Sequence, residues 1–89
     1  MPATMQVEVV SPEARLYSGD ATEVYARSLD GEIGILAGHQ PVLLALAEAP
    51  VRVKTADGAE HRFEVTGGFL QFKDNRLTVL ADDARPAAG

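Results

Sequence analysis

The sequence predicts an all-β domain: a flattened β-sandwich or barrel of two packed sheets, built from roughly eight to ten short strands. Three observations carry that expectation. Apolar and polar residues alternate over runs of about six, the period of a half-buried strand. Turn signals at Asp30-Gly31, Ala56-Asp57-Gly58 and Asp74-Asn75 punctuate those runs at hairpin spacing. No stretch holds the 3.6-residue periodicity of an amphipathic helix.

Taken in order, Met5–Val10 sets Met5, Val7 and Val9 on one side and Gln6, Glu8 and Val10 on the other. Ser11-Pro12 interrupts it, and Leu16-Tyr17 offers a short second strand before the turn residues Ser18-Gly19-Asp20. Thr22–Leu29 places Val24, Ala26 and Ser28 inward, with Glu23, Tyr25 and Arg27 outward. Ile33–Leu36 reads as a brief strand carrying a glycine where a side chain would obstruct. Val42–Ala47 is apolar at both parities, so as a strand it needs cover on both faces. A short helical turn is the alternative there, and periodicity does not choose between them.

The second half alternates more cleanly. Val51, Val53 and Thr55 interleave with Arg52 and Lys54. His61, Phe63 and Val65 interleave with Arg62 and Glu64 across the Asp-Gly turn. Gly67-Gly68 separates that strand from Phe69–Lys73, and Arg76–Ala81 follows with Leu77 and Val79 inward. Residues 1–4 read as a disordered lead and residues 85–89 as a loose tail, leaving 5–84 as one domain.

Composition narrows the function classes. The chain has 89 residues, 46% of them hydrophobic, and a formal net charge of −5. The acidic balance and scattered cations exclude the basic stripe of a nucleic-acid binder. The absence of cysteine excludes disulfides and thiolate metal sites. No apolar run has the roughly 18 residues of a membrane span.

The residues that carry chemistry do not cluster. His39 and His61 lack helical ligand spacing, so no metal site is expected. Ser11, Ser18 and Ser28 have no histidine in a nucleophilic arrangement. Gly31, Gly34 and Gly38 are as glycine-rich as a phosphate loop, but no Lys-Ser/Thr follows. Lys73, beside Asp74-Asn75, lacks the flanking pattern of a carrier-domain lysine. No cofactor is expected, and recognition by surfaces remains. In that reading one parity of Val42–Ala47 packs on a protein partner.

The run Gly31-Glu32-Ile33-Gly34-Ile35-Leu36-Ala37-Gly38-His39-Gln40-Pro41-Val42-Leu43 resembles the signature loop of the epsilon subunit of F-type ATP synthases. Four further segments resemble that family in the same order: Val9-Val10-Ser11-Pro12, Tyr17-Ser18-Gly19, Thr66-Gly67-Gly68-Phe69-Leu70 and Leu77–Asp82. The resemblance covers roughly residues 5–84 and implies a flattened two-sheet sandwich with Gly31, Gly34, Gly38, Pro41, Gly67 and Gly68 shaping its bends. It also implies a non-catalytic central-stalk role in coupling proton flow to ATP synthesis. The implied partners are the gamma subunit and the c-ring, with no nucleic acid and only indirect membrane contact, peripheral on the cytoplasmic face of a bacterial membrane. Carried over, Ser11, His39, Val42 and Leu44 lie toward gamma, and Glu32 toward the ring.

Two departures from the family stand out. Glu48-Ala49-Pro50 replaces the usual Pro-Gly turn. The chain also ends about where the family's two C-terminal helices begin, so neither autoinhibition nor ATP binding is expected of these residues. An unrelated β-sandwich protein-binding module is the alternative reading. On the docking reading, a charge at Leu44 is expected to weaken gamma binding while sparing the fold.

Overall fold

The computed structural model describes residues 3–87, and every regular element in it is a strand. The ten are β1 (Met5–Val10), β2 (Arg15–Ala21), β3 (Glu23–Ser28), β4 (Gly31–Leu36), β5 (Val42–Leu46), β6 (Ala49–Lys54), β7 (Glu60–Val65), β8 (Gly68–Lys73), β9 (Arg76–Ala81) and β10 (Ala84–Pro86). One layer runs β10-β7-β6-β3 with β4 on the far side of β3; the other runs β5-β8-β9-β1-β2. The layers join where Ser28 of β3 meets Leu46 of β5, and β10 approaches β2 on the opposite side. The result is a nearly closed, flattened sandwich with extents of 33 × 28 × 21 Å. All neighbouring strands are antiparallel except β1 and β9, which pair in parallel.

Alternation produces the core. Met5, Val7 and Val9 of β1, Val24 and Ala26 of β3, Val51 and Val53 of β6, and Leu77 and Val79 of β9 are buried, as their parity predicts. Phe63, Val65, Leu70 and Phe72 complete the layer between the sheets. No polar or charged residue is buried among the described residues. The interior is therefore held by apolar burial, worth about 1.5–3 kcal/mol for each large side chain.

The turns follow local chemistry. Asp74 and Asn75 both take positive φ, 54° and 58°, which gives the two-residue β8–β9 hairpin a type I′ geometry. Asn75 also ties three segments together. Its carbonyl accepts from the Gln6 N–H (3.1 Å), its Oδ1 from the Gly38 N–H (2.9 Å), and its Nδ2 donates to the Thr4 carbonyl (2.8 Å). In the β6–β7 turn, the Asp57 carboxylate accepts from the Thr55 hydroxyl and the Ala59 N–H. Those two bonds, the hydroxyl first, hold the carboxyl below the usual aspartate range.

Three local expectations change. The β3–β4 turn residues are Leu29-Asp30 rather than Asp30-Gly31, because Ser28 pairs with Gly31. β2 runs on through Ser18-Gly19-Asp20, which supplies backbone to β1 instead of turning. Residues 84–86 pair with Phe63–Val65 of β7, so a strand occupies the start of the expected loose tail. Residues 1–2 and 88–89 of the expected lead and tail lie outside the described residues.

Gly68 is the tightest point of the fold. It pairs with Leu46 on one side and Ala81 on the other, with φ at +127°. A Cβ there would fall on the Leu80 carbonyl oxygen and lie 2.9 Å from Ala81 Cα. Gly68→Ala is expected to lower unfolding free energy by about 3 kcal/mol, combining backbone strain with a clash against backbone. Urea denaturation checks this, and a loss below about 1 kcal/mol contradicts it.

Candidate functional site

The two broad outer faces differ in chemistry. On the β10-β7-β6-β3-β4 layer the outward residues are largely charged, and those around Tyr25 and Arg27 are paired. Tyr25 pairs across the strands with Gly34 of β4 and Arg52 of β6. Its ring covers Gly34, where a Cβ would meet Tyr25 Cε1 at 2.8 Å. The Arg52 guanidinium and the Lys54 ammonium stand 5.1 and 5.4 Å from the ring centroid, within cation–π range. Its hydroxyl donates to the Glu23 carboxylate, and that bond raises the phenol above its ordinary pKa. Arg52 also lies 3.8 Å from Glu60, and Arg27 lies 3.9 Å from Glu32.

The opposite face is built differently. Register sets Ala45 of β5 beside Phe69 of β8, Phe69 beside Leu80 of β9, and Leu80 beside Val10 of β1. All four are on the outward parity, so they form one apolar row across four strands. Leu43 extends the patch along β5. Leu43, Phe69 and Leu80 are 68%, 54% and 51% exposed, a grouping that marks an interaction surface more often than scattered single residues do.

The sequence-predicted residues distribute around this face. Val42 pairs with Phe72 and Leu44 with Leu70, both buried, so Val42 and Leu44 point inward and pack on the core. The parity of β5 offered to solvent is therefore Leu43 and Ala45. Ser11 follows Val10 at the apolar end, where its hydroxyl and the Ala14 backbone are hydrogen-bonded. His39 is at the other end, its ring edge-on to Phe72 at 6.0 Å and its Nδ1 donating to the Gln40 carbonyl at 2.7 Å. Ser11 and His39 thus lie at opposite ends of the strands: Ser11 follows the Val10–Leu80 pair, whereas Gly38, next to His39, is tied to Asn75 in the β8–β9 turn. Glu32 stands exposed on β4, beyond the β3–β4 turn. Gly31 opens β4, and Gly38 and Pro41 flank His39 between β4 and β5. Gly67-Gly68 makes the entry to β8, where Asp82 N–H donates to the Gly67 carbonyl at 3.0 Å.

Sequence reasoning missed Val10, Ala45, Phe69 and Leu80 as a group. Val10, Phe69 and Leu80 each interrupt the polar parity of their own strand, and that interruption was the available signal; in β5, apolar throughout, Ala45 gave none. Their alignment depends on register, which composition does not reveal. His61 is exposed and packs its ring 5.1 Å from that of Tyr17. No group of three or more metal-ligating side chains assembles among the described residues.

Fold and faces together define a two-layer β-sandwich domain with one largely charged broad face and one that carries an apolar row. Residues 4–87 match the model of the ATP synthase delta/epsilon chain beta-sandwich domain. The chain belongs to that family. It is 48% identical over 80 residues to the ATP synthase epsilon chain of Brevibacillus brevis, covering 90% of this chain and 61% of that protein. It is 44% identical over 87 residues to the epsilon chain of Streptomyces avermitilis, covering 98% of this chain and 70% of that one. The chain thus spans about six- to seven-tenths of the length of these curated relatives. A chain of the Euglena gracilis mitochondrial ATP synthase structure superposes with a TM-score of 0.89 at 23% identity, covering 97% of this chain and 55% of that one. That likeness concerns the fold. As an epsilon-type domain the chain is structural rather than catalytic.

The parity of β5 yields a direct contrast. Leu43→Asp is expected to change unfolding free energy by less than about 0.5 kcal/mol. Leu44→Asp, which drives a charge against the core, is expected to lower it by more than about 2 kcal/mol. Chemical denaturation of the two variants measures both. Equal losses would contradict the observed register.

Proposed function

We propose that this domain is a non-catalytic part of the central stalk of a proton-translocating F-type ATP synthase. It docks on the gamma subunit and the c-ring at the cytoplasmic face of a bacterial membrane and helps couple proton flow to ATP synthesis. The observation that carries the reading is the apolar row Val10–Leu80–Phe69–Ala45, bracketed along the strands by Ser11 at one end and His39 at the other. In this reading gamma covers the row, with Ser11 and His39 at its margins and Val42 and Leu44 supporting it from beneath. Glu32, exposed at the β3–β4 hairpin on a different part of the surface, faces the polar loops of the ring.

The physical task is transmission of torque without slip. That needs a stiff body and a contact that dissociates slowly. The sandwich provides stiffness through paired strands around a dry core. The molecule's two longer extents are 33 and 28 Å, so a broad side is on the scale of the roughly 800 Å² that a standard interface takes from each partner. On the charged face Arg27, Arg52 and Lys54 already have Glu32, Glu60 or the Tyr25 ring as partners, so these cations gain less by leaving water.

Phe69→Asp combined with Leu80→Asp is expected to leave the circular dichroism spectrum of the domain unchanged. It should weaken binding to the gamma subunit at least a hundredfold, about 3 kcal/mol. Titration calorimetry gives the affinity. An affinity equal to that of the unaltered chain would contradict docking through this face.

A further inference from the structure

The apolar face carries a second feature that hydrophobic docking leaves unused. Lys73 and Arg76 stand directly opposite one another at the tip of the β8–β9 hairpin. Both are exposed, and both share the outward parity of Phe69 and Leu80. Each lies four residues along its strand from the apolar row, about 13 Å away. Between the rows stand the neutral pair Gln71 and Thr78. Beyond Thr78 on β1 stands Glu8, held by Arg15 at 3.4 Å, so along β8 and β9 themselves the face is graded from apolar, through neutral polar, to cationic.

Opposed like charges on a hairpin repel each other, and their side chains have no internal reason to converge. The ion pairs among the described residues are Arg15–Glu8, Arg27–Glu32 and Arg52–Glu60. Neither Lys73 nor Arg76 takes part in one, even with Asp74 in the intervening turn. The type I′ turn and the three hydrogen bonds of Asn75 hold the two strand ends in place.

We propose that Lys73 and Arg76 form a carboxylate clamp for the partner segment that covers the apolar row. The proposal rests on reading that face as the gamma-docking surface and adds the chemistry of the partner. The segment must present an apolar patch and, about 13 Å further on, an Asp or Glu side chain. On a helix rising 1.5 Å per residue, that distance is about nine residues. Apolar contact is non-directional and would admit the segment in either sense along the strands. A cation pair at one end only breaks that ambiguity. Arg76 can hold the carboxylate through two parallel N–H bonds while Lys73 contributes a compact charge.

The test is titration of the chain with the gamma subunit at about 50 and 500 mM NaCl, salt concentrations that bracket strong and weak screening. Lys73→Gln combined with Arg76→Gln is expected to bind about tenfold more weakly at the lower salt, with the gap closing at the higher. Phe69→Asp is the control and is expected to lose binding at both. A double glutamine variant that matches the unaltered chain at low salt overturns the clamp while leaving the docking face intact. Undiminished binding by Phe69→Asp overturns the docking reading and the clamp with it.

Discussion

Two sheets packed about 10 Å apart leave room for one row of side chains from each, and no more. That single dry layer is the constraint on which the rest of the domain depends. Met5, Val7, Val9, Val24, Val51, Val53, Leu70, Phe72, Leu77 and Val79 fill it, without a buried polar or charged group among the described residues. Each strand gives one parity to this layer. A chain this small then carries more apolar residues than the layer can take, and Leu43, Phe69 and Leu80 are left outside. Leu29 at the β3–β4 turn and Leu36 at the end of β4 are exposed as well. Leu43, Phe69 and Leu80, however, lie together across paired strands, and that grouping gives their exposure functional meaning.

Register turns that surplus into a surface. A slip of one residue in β8 would send Phe69 inward and Leu70 and Phe72 into water. Gly68 opposes such a slip because its place between Leu46 and Ala81 has no room for a side chain. Asn75 pins the other end of the same hairpin to β1 and to the segment before His39. The two devices bracket the row and hold it level across β5, β8, β9 and β1. On the opposite face Arg27, Arg52 and Lys54 are engaged internally, through the cation–π contacts of Tyr25 and the Arg52–Glu60 and Arg27–Glu32 pairs. The asymmetry between the faces gives the domain a direction in which to dock.

Much of this was legible in the residues themselves. Alternation marked β1, β3, β6, β7 and β9 and their buried parity, because a half-buried strand leaves a period of two. β10 left no such trace: Ala84-Arg85-Pro86 is three residues long and joins the edge of β7 by backbone pairing. β2 was similarly hidden, since Ser18-Gly19-Asp20 contributes main chain opposite Glu8, Val7 and Gln6 and buries little of its own. In β5 every position is apolar, so the pattern carried no information about which parity faced inward. Only pairing of Leu44 with Leu70 decided it. The family signature in Gly31–Leu43 pointed to the right family, and the ends of the docking face, Ser11 and His39, were named without the row that lies between them.

Hydroxyl-radical footprinting of the domain, free and bound to gamma, tests the central claim most directly. The account predicts that Leu43, Phe69 and Leu80 lose reactivity on binding while the Tyr25 ring, on the opposite face, keeps its own. Protection of Tyr25 with unchanged labelling of Phe69 and Leu80 would contradict it.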